Sequence, residues 1–410
     1  MKRIDPALVV VLAGISAALH IGKLPPALPV LREQLHVSLM QAGFLLSLVQ
    51  LAGMTLGLAM GAAADSLGPR RTMVLGLVVL SLASLAGGAV STPEALLALR
   101  ALEGVGFLLA SLPAPGLIRR LVDPSRLSAM LGLWGAYMPF GTASALLFGP
   151  AVIAATGWSG WWWLLALLSL AMAGVLWWAV PASADRRAAA PAGASGRGRI
   201  LRTLRAPGPW LASVAFAVYS AQWLAVVGFL PTIYAQAGLP TAYAAFATAL
   251  AAAVNMAGNI GSGRLLQRAV PAPVLLQCGY VAMALGAVIA FAPWTASTST
   301  ASALVRYAGV LLFSAVGGLV PGTLFSLGVR VAPDDTTVST TVGWMQQWSA
   351  FGQFAGPPMA AWVAARVGGW DMTWTVTGGF ALAGMAIAAG IARFLAGHGA
   401  ASAAAAQRAP

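Results

Sequence analysis

The residues with the clearest chemical potential are charged side chains inside long apolar segments. Lys23 follows His20 by three positions in the first apolar run, and Glu103 follows Arg100 by three positions in a later one. Residues three apart lie on one face of a helix, so each pair shares a surface. A lysine inside a membrane-length run costs roughly 2.5 to 3.5 kcal/mol on insertion scales and usually faces a protein interior or a watery cavity. His20, Lys23 and Arg100 are therefore predicted to bind substrate, and their excess of positive charge favours an anion.

Each of these residues also has a purely structural alternative. Lys23 can extend its ammonium group to the membrane interface. Arg100 can form only a structural pair with Glu103, and His20 can be a packed polar residue. Glu103 is the one carboxylate inside a predicted span, so it is the candidate for proton coupling, with neutralisation of Arg100 as its other role.

Composition places the elements that carry these residues in a lipid bilayer. The chain is 59% hydrophobic and 8% charged, with a mean hydropathy of +0.83, whereas soluble domains carry about 25% charged residues. The apolar runs are long enough for membrane helices and lack the alternation of strands. The net charge of +13 does not indicate nucleic acid binding, because the basic residues are spread over short loops at alternating ends. The positive-inside rule predicts the inner (plasma) membrane with both termini cytoplasmic.

The apolar segments predict an all-α membrane protein with twelve transmembrane helices in two pseudo-symmetric six-helix bundles. Residues 1–180 form the first bundle, 181–208 a cytoplasmic linker, 209–396 the second bundle and 397–410 a disordered tail. An internal repeat supports this division. The matching segments are Gly22-Lys23-Leu24-Pro25 with Gly228-Phe229-Leu230-Pro231, Arg100 and Gly104 with Arg306 and Gly309, and Phe140-Gly141 with Phe351-Gly352. Such duplicated halves are typical of transporters that bind their solute at the midplane between the halves.

The second half supplies uncharged candidates for the same site. Tyr219, Gln222 and Trp223 lie on the helix that corresponds to the lysine helix, Asn255 lies on the next helix and Gln347 on the eleventh. Amides buried in a span need polar partners, and a solute cavity is one way to supply them. Hydrogen bonds between helices are the alternative for each amide.

The loop between the second and third helices carries a recognisable signature. It resembles the major facilitator superfamily pattern G-x-x-x-D-R-x-G-R-R through Gly61, Asp65, Gly68, Arg70 and Arg71. Ser66 stands in place of the first arginine, and Pro69 moves the basic pair one position on. The resemblance implies that Asp65 and Arg71 help to hold the cytoplasmic side closed. The alternative for Arg70 and Arg71 is that they only set topology.

The fourth helix adds to this resemblance. Arg100, Gly104 and Gly106 are similar to the R-x-x-x-G-x-G signature of the same family, in which helices one, four, seven and ten surround the central cavity. The segment from His20 to Pro26 resembles the corresponding segment of the cyanate-permease branch of this family. That branch implies a small anion, with proton coupling through Glu103 or His20.

These observations predict a secondary active transporter, not an enzyme. The protein is expected to move a small, anionic solute by alternating access with proton coupling, as a monomer without cofactor or bound metal. The sequence has no nucleotide-binding P-loop, which excludes ATP as the energy source. A proton-coupled efflux pump for drugs or metabolites is the alternative function.

Overall fold

The computed structural model describes residues 5–57, 68–123, 126, 130, 133–185, 196–293, 299–334 and 337–408. Ten helices in these ranges are long and apolar enough to cross a membrane. They are α1 (Pro6–Gln34), α2 (Leu39–Gly57), α3 (Pro69–Gly87), α4 (Pro93–Leu121), the 47-residue helix Leu133–Ala179, α7 (Pro207–Gln236), α8 (Thr241–Gln267), α9 (Ala272–Phe291), α10 (Thr300–Gly328) and α12 (Thr373–Gly397).

The helix Leu133–Ala179 contains two spans. Gly157 has a φ of 75° and a ψ of 170°, which no α-helix tolerates, and it divides the segment into α5 (residues 133–156) and α6 (residues 158–179). A further long helix, α11 (Val338–Val367), contains Pro357 and Pro358. With this division and this addition, the described residues hold twelve long helices. The prediction of an all-α membrane protein with twelve spans is confirmed.

Helix α1 is interrupted at Lys23. Its first segment is Pro6–Gly22 and its second is Leu24–Gln34. Pro25 and Pro26 cannot donate to the carbonyl groups one turn earlier, so the backbone hydrogen bonding breaks here. Lys23 therefore occupies the carboxyl-terminal cap of the first segment, where the helix dipole favours a cation.

The described residues fall into two compact units. The first unit comprises residues 1–193, 223–254 and 353–370, and the second comprises 194–222, 255–352 and 371–410. In the first unit a hydrophobic core joins α1, α6 and the outer segments of later helices, and it includes Leu28, Trp162, Phe229 and Trp370. In the second unit Tyr280 is buried and donates to the carbonyl of Ala215 over 2.6 Å.

Close helix crossings change the alignment of the two halves at one place. A Cβ on Gly76 would meet the backbone of Gly106 and Ala110, and one on Gly286 would meet the backbone of Gly309 and Phe313. The α3–α4 and α9–α10 crossings therefore match when Gly106, rather than Gly104, corresponds to Gly309.

The corrected register changes which charged residues correspond. Arg306 lies three positions before Gly309, as Glu103 lies three positions before Gly106. Arg306 therefore occupies the position of Glu103, and the predicted match of Arg306 with Arg100 is wrong. The signatures R-x-x-x-G at Arg100 and R-x-x-G at Arg306 looked alike because their spacings differ by one position.

Helical structure also occurs in the predicted linker and in the predicted tail. The segment between the halves contains a 3₁₀ turn at Ala182–Asp185 and a helix at Gly196–Arg205. The last helix continues to Arg408 instead of giving way to a disordered tail after residue 397. Alanine dominates that tail and has the highest intrinsic helix propensity, which explains the continuation.

Candidate functional site

Lys23 is the centre of a buried ionic network in the first unit. Its Nζ lies 2.5 Å from Glu103 Oε1, 2.8 Å from Ser84 Oγ and 3.2 Å from His20 Nδ1. An ammonium group has three hydrogens and no acceptor, so these three contacts use all of its donors. The Lys23 side chain is 0% exposed, which rules out extension to the membrane interface.

Arg100 completes the network from the other side of Glu103. Its Nη1 donates to Glu103 Oε2 and, over 2.9 Å, to the carbonyl of His20, while its Nε donates to the carbonyl of Leu45 over 3.1 Å. Two buried cations thus share one carboxylate. The Nη2 atom of Arg100 is buried and has no hydrogen-bond partner among the described residues.

Glycines on α4 allow the helix to approach its neighbours and bring these side chains together. A Cβ on Gly104 would overlap the backbone of Val49 on α2, and one on Gly106 would overlap the backbone of Leu80 on α3. Because α4 lies so close to α2, Arg100 reaches the carbonyl of Leu45. The R-x-x-x-G-x-G spacing therefore has a direct packing role.

Two tryptophans of α6 hold the broken part of α1. Trp161 Nε1 donates to the carbonyl of Lys23 over 3.1 Å. The Trp162 ring centroid lies 4.5 Å from Lys23 Nζ, close enough for a cation–π contact. Ser84 also donates to the carbonyl of Trp162, so the tryptophans contribute both packing and charge stabilisation.

A serine pair extends the network from His20. His20 Nε2 lies 2.9 Å from Ser169 Oγ, and Ser169 Oγ lies 3.2 Å from Ser16 Oγ. The structure thus places His20 among polar partners on α1 and α6. Its predicted contact with substrate stays a prediction.

A separate polar cluster lies in the second unit. The Tyr219 hydroxyl donates to Asn255 Oδ1 over 3.2 Å and accepts from Asn255 Nδ2 over 2.9 Å in the alternative hydrogen arrangement. Asn255 also donates to the carbonyl of Ser314, and Asn259 donates to Asn255. Tyr219 and Asn255 are therefore brought together, in the helix-to-helix bonding that was the alternative to substrate contact.

The remaining second-half candidates have different surroundings. Gln222 is buried and donates to the carbonyl of Val218, and its Oε1 has no partner among the described residues. Trp223 is half-buried and packs against a small apolar cluster of the first unit. Gln347 is half-buried in the second unit.

The predicted gating loop is described only in part. Gly61 and Asp65 lie outside the described residues, so the gating role of Asp65 stays a prediction. Asp185, which sequence reasoning missed, receives the backbone amide of Arg70 over 2.8 Å and lies 3.6 Å from Arg71 Nε. Gly68 has a φ of +92°, and a Cβ there would lie 2.6 Å from Asp185 Oδ1, so the signature glycine is needed for this contact.

Arg70 has a structural role beyond setting topology. Its guanidinium lies 3.9 Å from the centroid of the Trp177 ring and donates to the Trp177 carbonyl. The start of α3 is therefore fixed to the end of α6 within one unit. Arg71 is 67% exposed, so its ion pair with Asp185 is screened by water.

Several residues of the network gave no signal in the sequence. Serines are common in membrane helices, so Ser16, Ser84 and Ser169 did not stand out, and their partners lie far away along the chain. Within the described ranges, no three His, Cys, Asp or Glu side chains group as a metal site requires.

The long apolar helices and the ionic network buried among them define a multi-pass membrane protein of the transporter class. The model of the Major Facilitator Superfamily matches residues 7–357, and the chain belongs to that superfamily. The comparisons do not confirm the resemblance to the cyanate-permease branch.

Solved structures share this fold. A bacterial homologue of the human lysosomal transporter Spinster, in an inward-facing and occupied conformation, has a TM-score of 0.78 at 16% identity, over 94% of this chain and 96% of that one. A D-xylose–proton symporter has a TM-score of 0.72 at 15% identity, over 94% of this chain and 96% of that one.

Two curated relatives match part of the chain. The tetracenomycin C resistance and export protein of Streptomyces glaucescens is 27% identical over 154 residues, which are 37% of this chain and 29% of the relative. The puromycin resistance protein pur8 of Streptomyces alboniger is 36% identical over 141 residues, which are 34% of this chain and 27% of the relative. The matched segments thus cover less than a third of each relative.

Proposed function

We propose that this superfamily transporter moves a small anion together with protons by alternating access. The observation that best supports this proposal is that the buried network contains more positive than negative side chains. Lys23 and Arg100 are both cations, and Glu103 is the one carboxylate that they contact. With Lys23 protonated and His20 neutral, the network holds one excess positive charge.

That excess charge links anion binding to proton binding. An uncompensated charge inside a protein costs several kcal/mol. It is removed either when an anion binds nearby or when Lys23 loses a proton. A bound anion therefore favours the protonated lysine, and by reciprocity the protonated lysine favours the anion. Two ligands that favour each other in this way bind and leave together, as a symporter requires.

Arg100 supplies a donor for the anion. Its Nη2 group is buried without a partner among the described residues, and an anionic oxygen would satisfy it with a charge-assisted hydrogen bond. The positive charge of Lys23 would also attract a bound anion. The charge distribution of the loops supports an inner-membrane location with both termini cytoplasmic.

Flux measurements in proteoliposomes test this function. Purified protein would be given labelled nitrate, cyanate, oxalate or pyruvate, with the outside more acidic than the inside and a trapped pH indicator. We expect uptake of at least one of these anions, with simultaneous proton entry. Lack of uptake of all four, or uptake without proton movement, would contradict the proposal.

Two variants locate the coupling. Lys23→Met removes the excess charge and leaves the Arg100–Glu103 pair neutral, so it should abolish anion uptake while the protein still accumulates in the membrane. The matched control is Arg306→Met, which removes a partly exposed cation of the second half and should retain most uptake. Normal uptake by Lys23→Met would show that the lysine takes no part.

Efflux of a drug or metabolite is the second candidate function. It is favoured by the two partial relatives, of which one is a resistance and export protein and the other a puromycin resistance protein. Inside-out vesicles with labelled puromycin discriminate between the candidates. Proton-driven puromycin accumulation that Lys23→Met leaves intact would favour efflux over anion symport.

A further inference from the structure

A continuous line of hydrogen-bonding side chains crosses the first unit, and the proposed function uses only part of it. The line runs from Glu103 through Lys23, His20 and Ser169 to Ser16. Successive polar atoms are separated by 2.5, 3.2, 2.9 and 3.2 Å. Every separation is within hydrogen-bond distance.

The side chains of the line are buried along its length, and the line is least buried at one end. His20, Lys23 and Ser169 are 0% exposed, Glu103 is 1% exposed and Ser16 is 7% exposed. Ser16 lies seven residues before Lys23 on α1, which corresponds to about 10 Å at 1.5 Å per residue. The line therefore leads from the ionic network toward the end at which α1 begins.

The serines in this line differ from Ser47 and Ser111 in how their hydroxyl groups are bonded. Ser47 and Ser111 donate to carbonyl groups of their own helices, which is the usual local solution for a hydroxyl in a helix. Ser16 and Ser169 instead bond to each other across α1 and α6. A hydroxyl pair aimed at a buried histidine can pass a proton as well as accept one.

The contacts also fix the direction of the hydrogen bonds. Ser84 donates to the carbonyl of Trp162, so it accepts from Lys23. The remaining ammonium hydrogens go to Glu103 and to His20 Nδ1, which must then be unprotonated. With Nδ1 as an acceptor, His20 carries its hydrogen on Nε2 and donates to Ser169. In this arrangement Ser169 can donate to Ser16, so that all hydrogen bonds beyond Lys23 point the same way.

We propose that His20, Ser169 and Ser16 form the path by which Lys23 exchanges its proton with water. This inference rests on the proposed function and adds the route of the proton. Lys23 gives one proton to His20 Nδ1, His20 gives its Nε2 proton to Ser169, Ser169 gives its proton to Ser16, and Ser16 gives one to a water molecule. Each relay group gains and loses one proton, and Lys23 becomes neutral. The charged groups that face this step are Arg100 and Glu103.

Nitrogen-15 NMR tests the direction without any solute. His36→Gln and His398→Gln together leave His20 as the single histidine of the chain, which has three. Histidine-labelled protein should then show a protonated Nε2 and an unprotonated Nδ1. A hydrogen on Nδ1 would overturn the proposed direction and the path with it.

Flux measurements test the path itself with the same four anions. Ser169→Ala interrupts the line and should slow proton entry and net anion uptake on the order of tenfold or more. Exchange of labelled for unlabelled anion needs no net proton movement and should be preserved. Ser169→Thr keeps the hydroxyl and should restore net uptake.

Ser81→Ala is the matched control. Ser81 is buried on α3 and donates to the carbonyl of Ala166 on α6 over 2.7 Å, so it also bonds to α6 but lies outside the line. Its loss should leave proton entry unchanged. Unchanged proton entry in Ser169→Ala would overturn the path alone, whereas a wild-type protein without proton entry would overturn the proposed function as well.

Discussion

In the first half of the chain, Glu103 lies about one turn before Gly106 of the close α3–α4 crossing at Gly76 and Gly106. In the second half, the matching α9–α10 crossing at Gly286 and Gly309 is accompanied by Arg306. Glu103 is buried between two cations, whereas Arg306 is 29% exposed and lies 3.4 Å from Asp371. The two halves therefore share the close glycine crossing of their helices, but the charge of the neighbouring side chain has the opposite sign.

The lysine position shows the same contrast. Lys23 is fully buried with polar partners on three helices, and its predicted counterpart Phe229 is fully buried against Trp370, with ring centroids 4.7 Å apart. A repeat can thus preserve its helix packing while, at this position of the described residues, only one copy carries a buried charge. The buried charged residues are therefore found at positions where the two halves differ, not at positions that the repeat shares.

The largest effect is expected from Glu103→Gln, which leaves Lys23 and Arg100 buried without a carboxylate. Removing one partner of a buried ionic group costs about 3 to 5 kcal/mol. The variant should lose transport and unfold at a markedly lower temperature in detergent. Wild-type thermal stability would show that the network is not the energetic centre of the first half.

Phe229→Lys asks whether the second half tolerates the first half's lysine. Phe229 packs in an apolar cluster of the described residues, so the new charge costs at least roughly 2.5 kcal/mol. Accumulation in the membrane should fall several-fold on immunoblots, whereas the matched Phe229→Leu should accumulate normally. Equal accumulation of both variants would weaken the contrast between the two positions.

Tyr219→Phe tests the polar cluster of the second half with a smaller change. It removes one hydroxyl from Asn255, which keeps its bonds to Ser314 and Asn259. The expected loss of unfolding free energy is about 1 kcal/mol, measured by denaturation in detergent. If Tyr219→Phe instead abolishes transport without changing stability, the cluster contacts substrate and the second half is not chemically passive.

Asp371→Asn should have the smallest effect. Asp371 is 59% exposed beside Arg306, and exposed ion pairs contribute about 0 to 1 kcal/mol. Uptake and thermal stability should match the wild type within error. A loss comparable to that of Glu103→Gln would mean that the two halves carry equivalent ionic sites.

Much of the fold followed from composition, because long apolar runs in a bilayer have helices as their main solution. Local spacing also placed Arg100 and Glu103 on one helix face, where the structure pairs them. The pairing of Lys23 with Glu103 did not follow, since it depends on how α1 packs against α4. Ser169 and Asp185 were missed for the same reason, because nothing local marks a residue whose partner is more than a hundred positions away.

The repeat shows a second limit of sequence reasoning. The match of Arg100 with Arg306 was based on residue identity alone. The glycine crossings instead align Arg306 with Glu103, which is almost one helical turn away from Arg100. A shift of that size replaces one helix face by another, so it decides whether two charged residues are equivalent. The match of Phe140-Gly141 with Phe351-Gly352 stays a prediction. Each glycine approaches the first helix of its own half, since a Cβ on Gly141 would meet Ile15 of α1 and one on Gly352 would meet Ala217 of α7.

The proline pair after Lys23 gives that lysine a further significance. Because Pro25 and Pro26 have no amide hydrogens, the carbonyl oxygens of Ile21 and Gly22 lose their helical donors, and this level of α1 holds a surplus of acceptors. The lysine that carries the buried charge is also the residue at which the helix is interrupted. We therefore expect a change that neutralises the lysine to affect both the interruption of α1 and the occupancy of the network.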